Sequence, residues 1–199
     1  ALLLPVSRCA PKAPRSYAPA GPEEVQRATA AWNRALARAE SLGSARLLYD
    51  ARIIQGLLRV PGTLSVTQAP ARRPADPQGG LGPADGHGAD ESEGLRPLRA
   101  EPEDLRALLA GVWRKGMPRV VGFREEESLL AWEEPEPAEG VLDVPGAKLR
   151  SLTITRSEGT LAATYEGDFA PLPQRVELED VRTGNKLRLT LIGYERIPP

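Results

Sequence analysis

The chain is poor in the side chains that carry most chemistry, with one cysteine, one histidine and one methionine in 199 residues. A zinc cluster, a disulfide framework and a Cys–His nucleophilic pair each need more than that, so none can be built within the chain. Neither sign of charge is in excess: 26 basic residues stand against 27 acidic ones, a formal net charge of -1. Phosphate recognition needs a concentrated positive footprint, so a nucleic-acid partner is not expected. No apolar run approaches the roughly 20 residues that span a bilayer as a helix. There is no Gly-rich phosphate loop, no Ser–His pair and no metal-ligand spacing, and neither cofactor nor metal is expected. Aromatic residues make up only 5%. What is plentiful is glycine and proline, 19 and 20 residues, so much of the chain reads as turn, loop or linker. The rest, 41% hydrophobic and 27% charged, suits one globular domain.

The sequence begins at Ala1 and not at Met, so an upstream segment is expected. Ala1-Leu2-Leu3-Leu4-Pro5-Val6-Ser7-Arg8-Cys9 is a short apolar run ending at the single cysteine. It resembles the end of a secretory signal with a bacterial lipobox, in which Cys9 becomes the lipidated first residue and anchors the protein to a membrane. Val6 and Ser7 fit that pattern, whereas Arg8 stands where a small residue is usual. The alternative is a terminus carrying a free thiol. Residues 1–9 are therefore read as a signal and lipobox remnant, and the Pro- and Ala-rich residues 10–21 as a flexible tether. Residues 22–199 are read as a single domain.

Within that domain Pro22-Glu23-Glu24 opens a helix, with acid at the positive end of its dipole. Val25, Ala28, Trp32, Leu36 and Ala39 form its apolar stripe, and Leu42-Gly43 ends it. Residues 45–68 read as two strands turning at Pro61-Gly62, with helical continuation through Arg59 as the competitor. Residues 69–97 hold too little apolar surface to offset ordering entropy and read as a disordered loop. His87 sits there, as a solvated histidine or, less simply, a metal ligand. A second helix opens at Glu101-Pro102-Glu103-Asp104. Leu105, Leu108, Leu109, Val112 and Trp113 make its apolar face, and Gly116 and Pro118 stop it. Beyond Pro118 the period becomes 2. Residues 120–123 and 128–132 read as strands around the acidic turn Glu125-Glu126-Glu127, and residues 133–137 as a second charged turn. Hairpins then turn at residues 157–160 and 183–185, with a bulge expected at Gly193. Each strand has one apolar and one polar face, the mark of an antiparallel sheet covered on one side.

The closing strands, Leu172-Pro173-Gln174-Arg175-Val176-Glu177-Leu178 and Lys186-Leu187-Arg188-Leu189-Thr190-Leu191, carry a resemblance. With the helix Glu103-Asp104-Leu105…Leu108-Leu109…Gly111, they make residues 100–196 similar to the LolA/LolB-like lipoprotein-carrier superfamily, and most to outer-membrane LolB. The resemblance implies an α+β fold: a curved antiparallel sheet, or half-open β-barrel, with two main helices covering its apolar concave face. It also implies a periplasmic protein, lipid-anchored at the outer membrane, that takes acyl chains or lipoproteins into an apolar cavity. An exposed apolar loop that places cargo in the membrane belongs to the same resemblance, and Leu81 is its one candidate in residues 69–97.

The residues expected to line the cavity are Leu109, Trp113, Leu152, Ile154, Leu161, Tyr165, Val176, Leu178, Leu189 and Leu191. A compliant aliphatic lining suits an alkyl chain better than a ligand that needs orienting polar groups. The alternative is an ordinary filled core, in a scaffold or interaction lipoprotein that docks an envelope complex. An enzyme would have to rest on Glu125–Glu127 or on Glu133, Glu134 and Glu136. These lie in turns, where solvated like charges are the expected state, so no catalysis is expected. A monomer is expected.

Overall fold

The computed structural model describes residues 16–68 and 102–197. Its elements run α1 (Pro22–Glu40), β1 (Ala45–Gln55), β2 (Leu58–Gln68), α2 (Pro102–Leu109), β3 (Arg119–Arg124), β4 (Glu127–Trp132), β5 (Ala138–Asp143), β6 (Lys148–Arg156), β7 (Gly159–Phe169), β8 (Pro173–Asp180) and β9 (Asn185–Arg196). All nine strands join one curved antiparallel sheet in the order β2-β1-β9-β8-β7-β6-β5-β4-β3. From β3 to β9 it is a plain meander. The early β1–β2 hairpin then attaches along β9 through ten residue pairs, from Ala45↔Arg196 to Ile54↔Lys186. The sheet is not closed: among the described residues β2 and β3 are its two edges.

Alternation builds the buried face. Along β7, Leu161, Ala163 and Tyr165 are buried while Thr164 and Glu166 are exposed, and along β8 Val176 and Leu178 point the same way. Register then lines these residues up across strands. Leu152 pairs with Ala163, Ala163 with Leu178, Leu178 with Leu187, and Leu187 with Ile53. Helix α1 contributes Ala28, Ala31, Trp32, Ala35 and Ala39 to the same buried cluster, and α2 contributes Leu105, Leu108 and Leu109. The stripe of α1 therefore lies closer to its small residues than the sequence pattern implies. Val25 is exposed and Leu36 only half-buried, while Ala31 and Ala35 are fully buried. Arg34 and Arg38 of α1 donate to the carbonyls of Val144 and Ala147, at 3.2 and 2.9 Å, and tie the helix to the β5–β6 turn.

Four expectations need correction. The β1–β2 turn falls at Gly56-Leu57 and not at Pro61-Gly62, because Gly56 supplies the positive φ of 58° that a two-residue turn demands. Pro61 instead lies within β2, opposite Arg52. Counted from the turn this is a non-hydrogen-bonded pair, so the absent N–H faces the open edge, where a strand tolerates proline. The second helix ends at Leu109 and does not continue through Trp113. Gly111 (φ 68°) donates to Leu108 at 3.0 Å and Val112 to Ala107 at 3.1 Å, a Schellman stop. No other residue fits there, since an added Cβ would overlap the Phe169 ring. β5 is a strand absent from the sequence reading, and its Gly140 leaves room under Trp132. Finally, of the tether expected over residues 10–21, the described end is docked. Ala18 exchanges two backbone hydrogen bonds with Phe123 of β3, at 2.8 and 3.2 Å. The bulge expected at Gly193 is found beside it: Leu48 pairs with Gly193 and Tyr49 with Leu191, leaving Ile192 over. The competing helix through Arg59 is not formed. Cys9, Leu81, His87 and the loop 69–97 lie outside the described residues.

Candidate functional site

Nine of the ten expected lining residues, Leu109, Trp113, Leu152, Ile154, Leu161, Tyr165, Val176, Leu178 and Leu189, are no more than 5% exposed and belong to one apolar cluster. Leu191 is half-buried and packs against that cluster, next to the bulge that ends the alternation of β9. The sheet rows and two helices thus bring together residues spread over more than 80 positions of sequence. Trp32 of α1 meets Trp132 of β4 edge-on at 5.4 Å between ring centroids, so the two layers touch at the centre. Tyr165 lies 6.0 Å from Phe169, whose ring in turn carries the Arg38 guanidinium at 5.0 Å.

The interior is apolar but not without polar atoms. Nε1 of Trp32, Trp113 and Trp132 and the hydroxyls of Tyr49 and Tyr165 are buried with no hydrogen-bond partner among the described residues. Burial pushes both phenols well above their ordinary pKa, so they stay protonated. Tyr49, Trp32 and Trp132 were not among the expected lining residues. Trp32 could have been found from its place on the α1 stripe. Tyr49 and Trp132 could have been found from the alternation of their strands.

Beside the apolar cluster sits a group of four charges, of which the sequence reading placed only Glu136 in solvent. Asp104, at the start of α2, bonds Arg156 at the end of β6 and Lys115 beyond α2, the latter at 3.0 Å. Glu136 bridges the same two cations, at 3.2 Å from Lys115 and 3.3 Å from Arg156. The side chains of Asp104 and Arg156 are 3% and 8% exposed. Burial works against charge on Lys115 and Arg156, but the carboxylates of Asp104 and Glu136 outweigh it and hold both cations above their ordinary pKa. Lys115 also lies 5.4 Å over the Trp113 ring. Glu133, by contrast, pairs with Arg119 in the open at 3.0 Å, as a solvated turn residue should. Two acids held by two bases fasten α2 to the sheet.

The opposite, polar face of the sheet carries a groove of about 570 Å³ across β1, β9, β8 and β7. Its arginines already face carboxylates: Arg52 with Asp50 at 4.0 Å, Arg175 with Glu166 at 3.8 Å, and Arg188 with Glu177. Among the described residues no group of three or more His, Cys, Asp or Glu could hold a metal ion, and no helix is long and apolar enough to cross a membrane.

No protein-family model and no curated protein matches the chain. Among solved structures, a LolA superfamily protein from Nitrosomonas europaea aligns over 84% of this chain and 94% of its own, with a TM-score of 0.50 and 11% identity. A domain from Vibrio parahaemolyticus, described as an outer membrane lipoprotein-sorting protein domain, aligns over 86% and 92%, with a TM-score of 0.49 and 10% identity. The likeness is one of fold and does not single out LolB. The nine-stranded open antiparallel sheet with its two helices is thus similar in fold to the LolA superfamily protein from Nitrosomonas europaea.

Proposed function

We propose that the protein binds acyl chains or lipoproteins in the space between its sheet and helices, and takes part in localising lipoproteins to the outer membrane. The convergence of the aliphatic rows of β6 to β9 and the two helices on one apolar interior carries this reading. Binding there would draw on about 0.8 kcal/mol for each CH₂ removed from water, and no residue need change its covalent state. Thermal unfolding with and without a long-chain lipid tests it. A raised midpoint is expected, and an unchanged one counts against binding.

In this reading Cys9 is the attachment point of a lipid anchor, on the periplasmic side of the outer membrane. Expressed with a complete signal, wild type belongs in the membrane fraction, and Cys9→Ala should leave the fold intact but release the protein. Wild-type protein found soluble with Cys9 unmodified would remove the anchor and leave the interior untouched. The apolar tip that would meet the membrane is the β1–β2 turn. Leu57 there is fully exposed, Leu58 and Val60 beside it are 58% and 42% exposed, and Arg52 and Arg59 flank them.

A second reading, a non-catalytic scaffold with a filled core, is favoured by the near-zero exposure of the lining residues. It predicts no lipid-dependent shift of the unfolding midpoint.

A further inference from the structure

The two edges of the sheet are defended unequally. β3 is irregular between Val120 and Gly122, ends on Arg119 and Arg124, and has Ala18 bonded to Phe123 along it. A bulge, charges and a covering segment are the devices that keep an edge from pairing with another chain. β2 is built differently. From Val60 to Gln68 it carries no charged residue, and its register with β1 is unbroken from Leu58 to Gln68. Among the described residues no strand pairs with its outer side.

Backbone phase says which groups that side offers. Gln55 and Leu58 flank the two-residue turn as a hydrogen-bonded pair, and such pairs alternate with non-hydrogen-bonded ones. The N–H and C=O groups of Thr63, Ser65 and Thr67 therefore point away from β1. Pro61, in the same phase, has no N–H to give and closes the stretch toward the tip. The side chains of Thr63, Ser65 and Thr67 are exposed on the polar face, while Leu64 on the other face is half-buried.

This stretch complements a second copy of itself, turned about a two-fold axis at Ser65. Antiparallel pairing sets Ser65 against Ser65 of the second copy and Thr63 against its Thr67, so each outward N–H meets a C=O. Behind Ser65 the row continues through Leu48 and Gly193 and is uncharged. Behind Thr63 stands Asp50, and behind Thr67 stands Arg46. Asp50 of one copy therefore shares a row with Arg46 of the other, opposite in sign. An axis at Thr63 would instead align Asp50 with Asp50 and set Pro61 in the ladder. An axis at Thr67 would align Arg46 with Arg46. On the inner face Leu64 comes to lie beside Val66 of the second copy and gains apolar cover.

We propose that the protein forms a two-fold dimer through residues 63–67 of β2, with one sheet continuous across both copies. This replaces the monomer expected from the sequence and is independent of what the interior binds. So short a ladder is a small interface, and the dimer dissociates on dilution.

The experiment follows the full chain by sedimentation equilibrium over a range of concentrations. All proteins carry Cys9→Ser, which removes the one native cysteine. The apparent mass should double as concentration rises. Ser65→Lys sets like charges opposite each other at the axis and should hold the mass at the monomer. Ser65 is exposed, so that change should leave the unfolding midpoint of the dilute protein where it was. Cross-linking reads the register. Residues opposed in a hydrogen-bonded pair lie about 5.5 Å apart at Cα, within reach of a disulfide. Ser65→Cys should therefore couple to itself on mild oxidation, and Thr63→Cys should couple to Thr67→Cys in a mixture more readily than to itself. A mass that stays monomeric at every concentration overturns the proposal. A dimer that survives Ser65→Lys, or in which Thr63→Cys prefers its own kind, overturns it as well.

Discussion

Asp104 shows how far a single residue can depart from its sequence appearance. In the sequence it is one of several acids that open a helix and should sit near the dipole. In the fold it is buried between Arg156 and Lys115, with Glu136 closing the square. Nothing local announces this, because Arg156 lies 52 residues away and reaches Asp104 only through the register of β5 and β6. Breaking such a buried pair strands a charge, so Asp104→Asn should cost about 3 kcal/mol in denaturant unfolding. A loss below about 1 kcal/mol would show the group to be dispensable. Asp180 makes the complementary case for pH. Burial opposes its charge, but the backbone N–H groups of Thr183 and Arg182, at 3.2 and 2.9 Å, outweigh it and hold the carboxyl below its ordinary pKa. A folded pKa below the unfolded one gives stability that is present above about pH 4 and lost as pH falls through the folded value. Asp180→Asn should flatten that acid-side slope in pH-dependent unfolding, and an unaltered slope would place its cause elsewhere.

At the scale of elements, periodicity was a sound guide wherever the apolar spacing was clean, as in α1, β7, β8 and β9. It failed where one residue's backbone demand overrode the pattern. The apolar run Leu105 to Trp113 looks helical to its end, yet Gly111 stops the helix, and Val112 and Trp113 stay buried outside it. Pro61-Gly62 has turn chemistry, but the turn went to Gly56 because an edge strand can hold a proline. β5 escaped notice because Ala138-Glu139-Gly140 lacks the β-branched residues that mark a strand. The β1–β2 tip is the element where these shifts bear on function. With the turn at Gly56-Leu57, the apolar side chains of Leu57, Leu58 and Val60 are presented to solvent. Leu57→Asp should therefore change unfolding by no more than about 0.5 kcal/mol, as expected for an exposed position. It should weaken the sedimentation of the protein with lipid vesicles. Unchanged vesicle binding would take the tip out of the account.

For the whole molecule, the sheet on the carboxyl side was readable because a meander keeps sequence neighbours adjacent in space. The attachment of β1 to β9, which extends the sheet to nine strands, was not readable, since residues about 140 positions apart must pair. The interior was legible in kind and incomplete in membership. Alternation named its aliphatic rows, while Tyr49 and Trp132 were left out, and with them two of the five unpartnered tryptophan and tyrosine donors. The central claim is that acyl chains enter this interior and do not merely coat the surface. Tryptophan fluorescence reads this directly, because all three tryptophans are no more than 2% exposed and lie on that interior. An acyl lipid brominated along its chain should quench their emission saturably, and an unbrominated lipid of the same length should not. Emission unchanged by the brominated chain, at concentrations where the lipid is bound, would contradict the account.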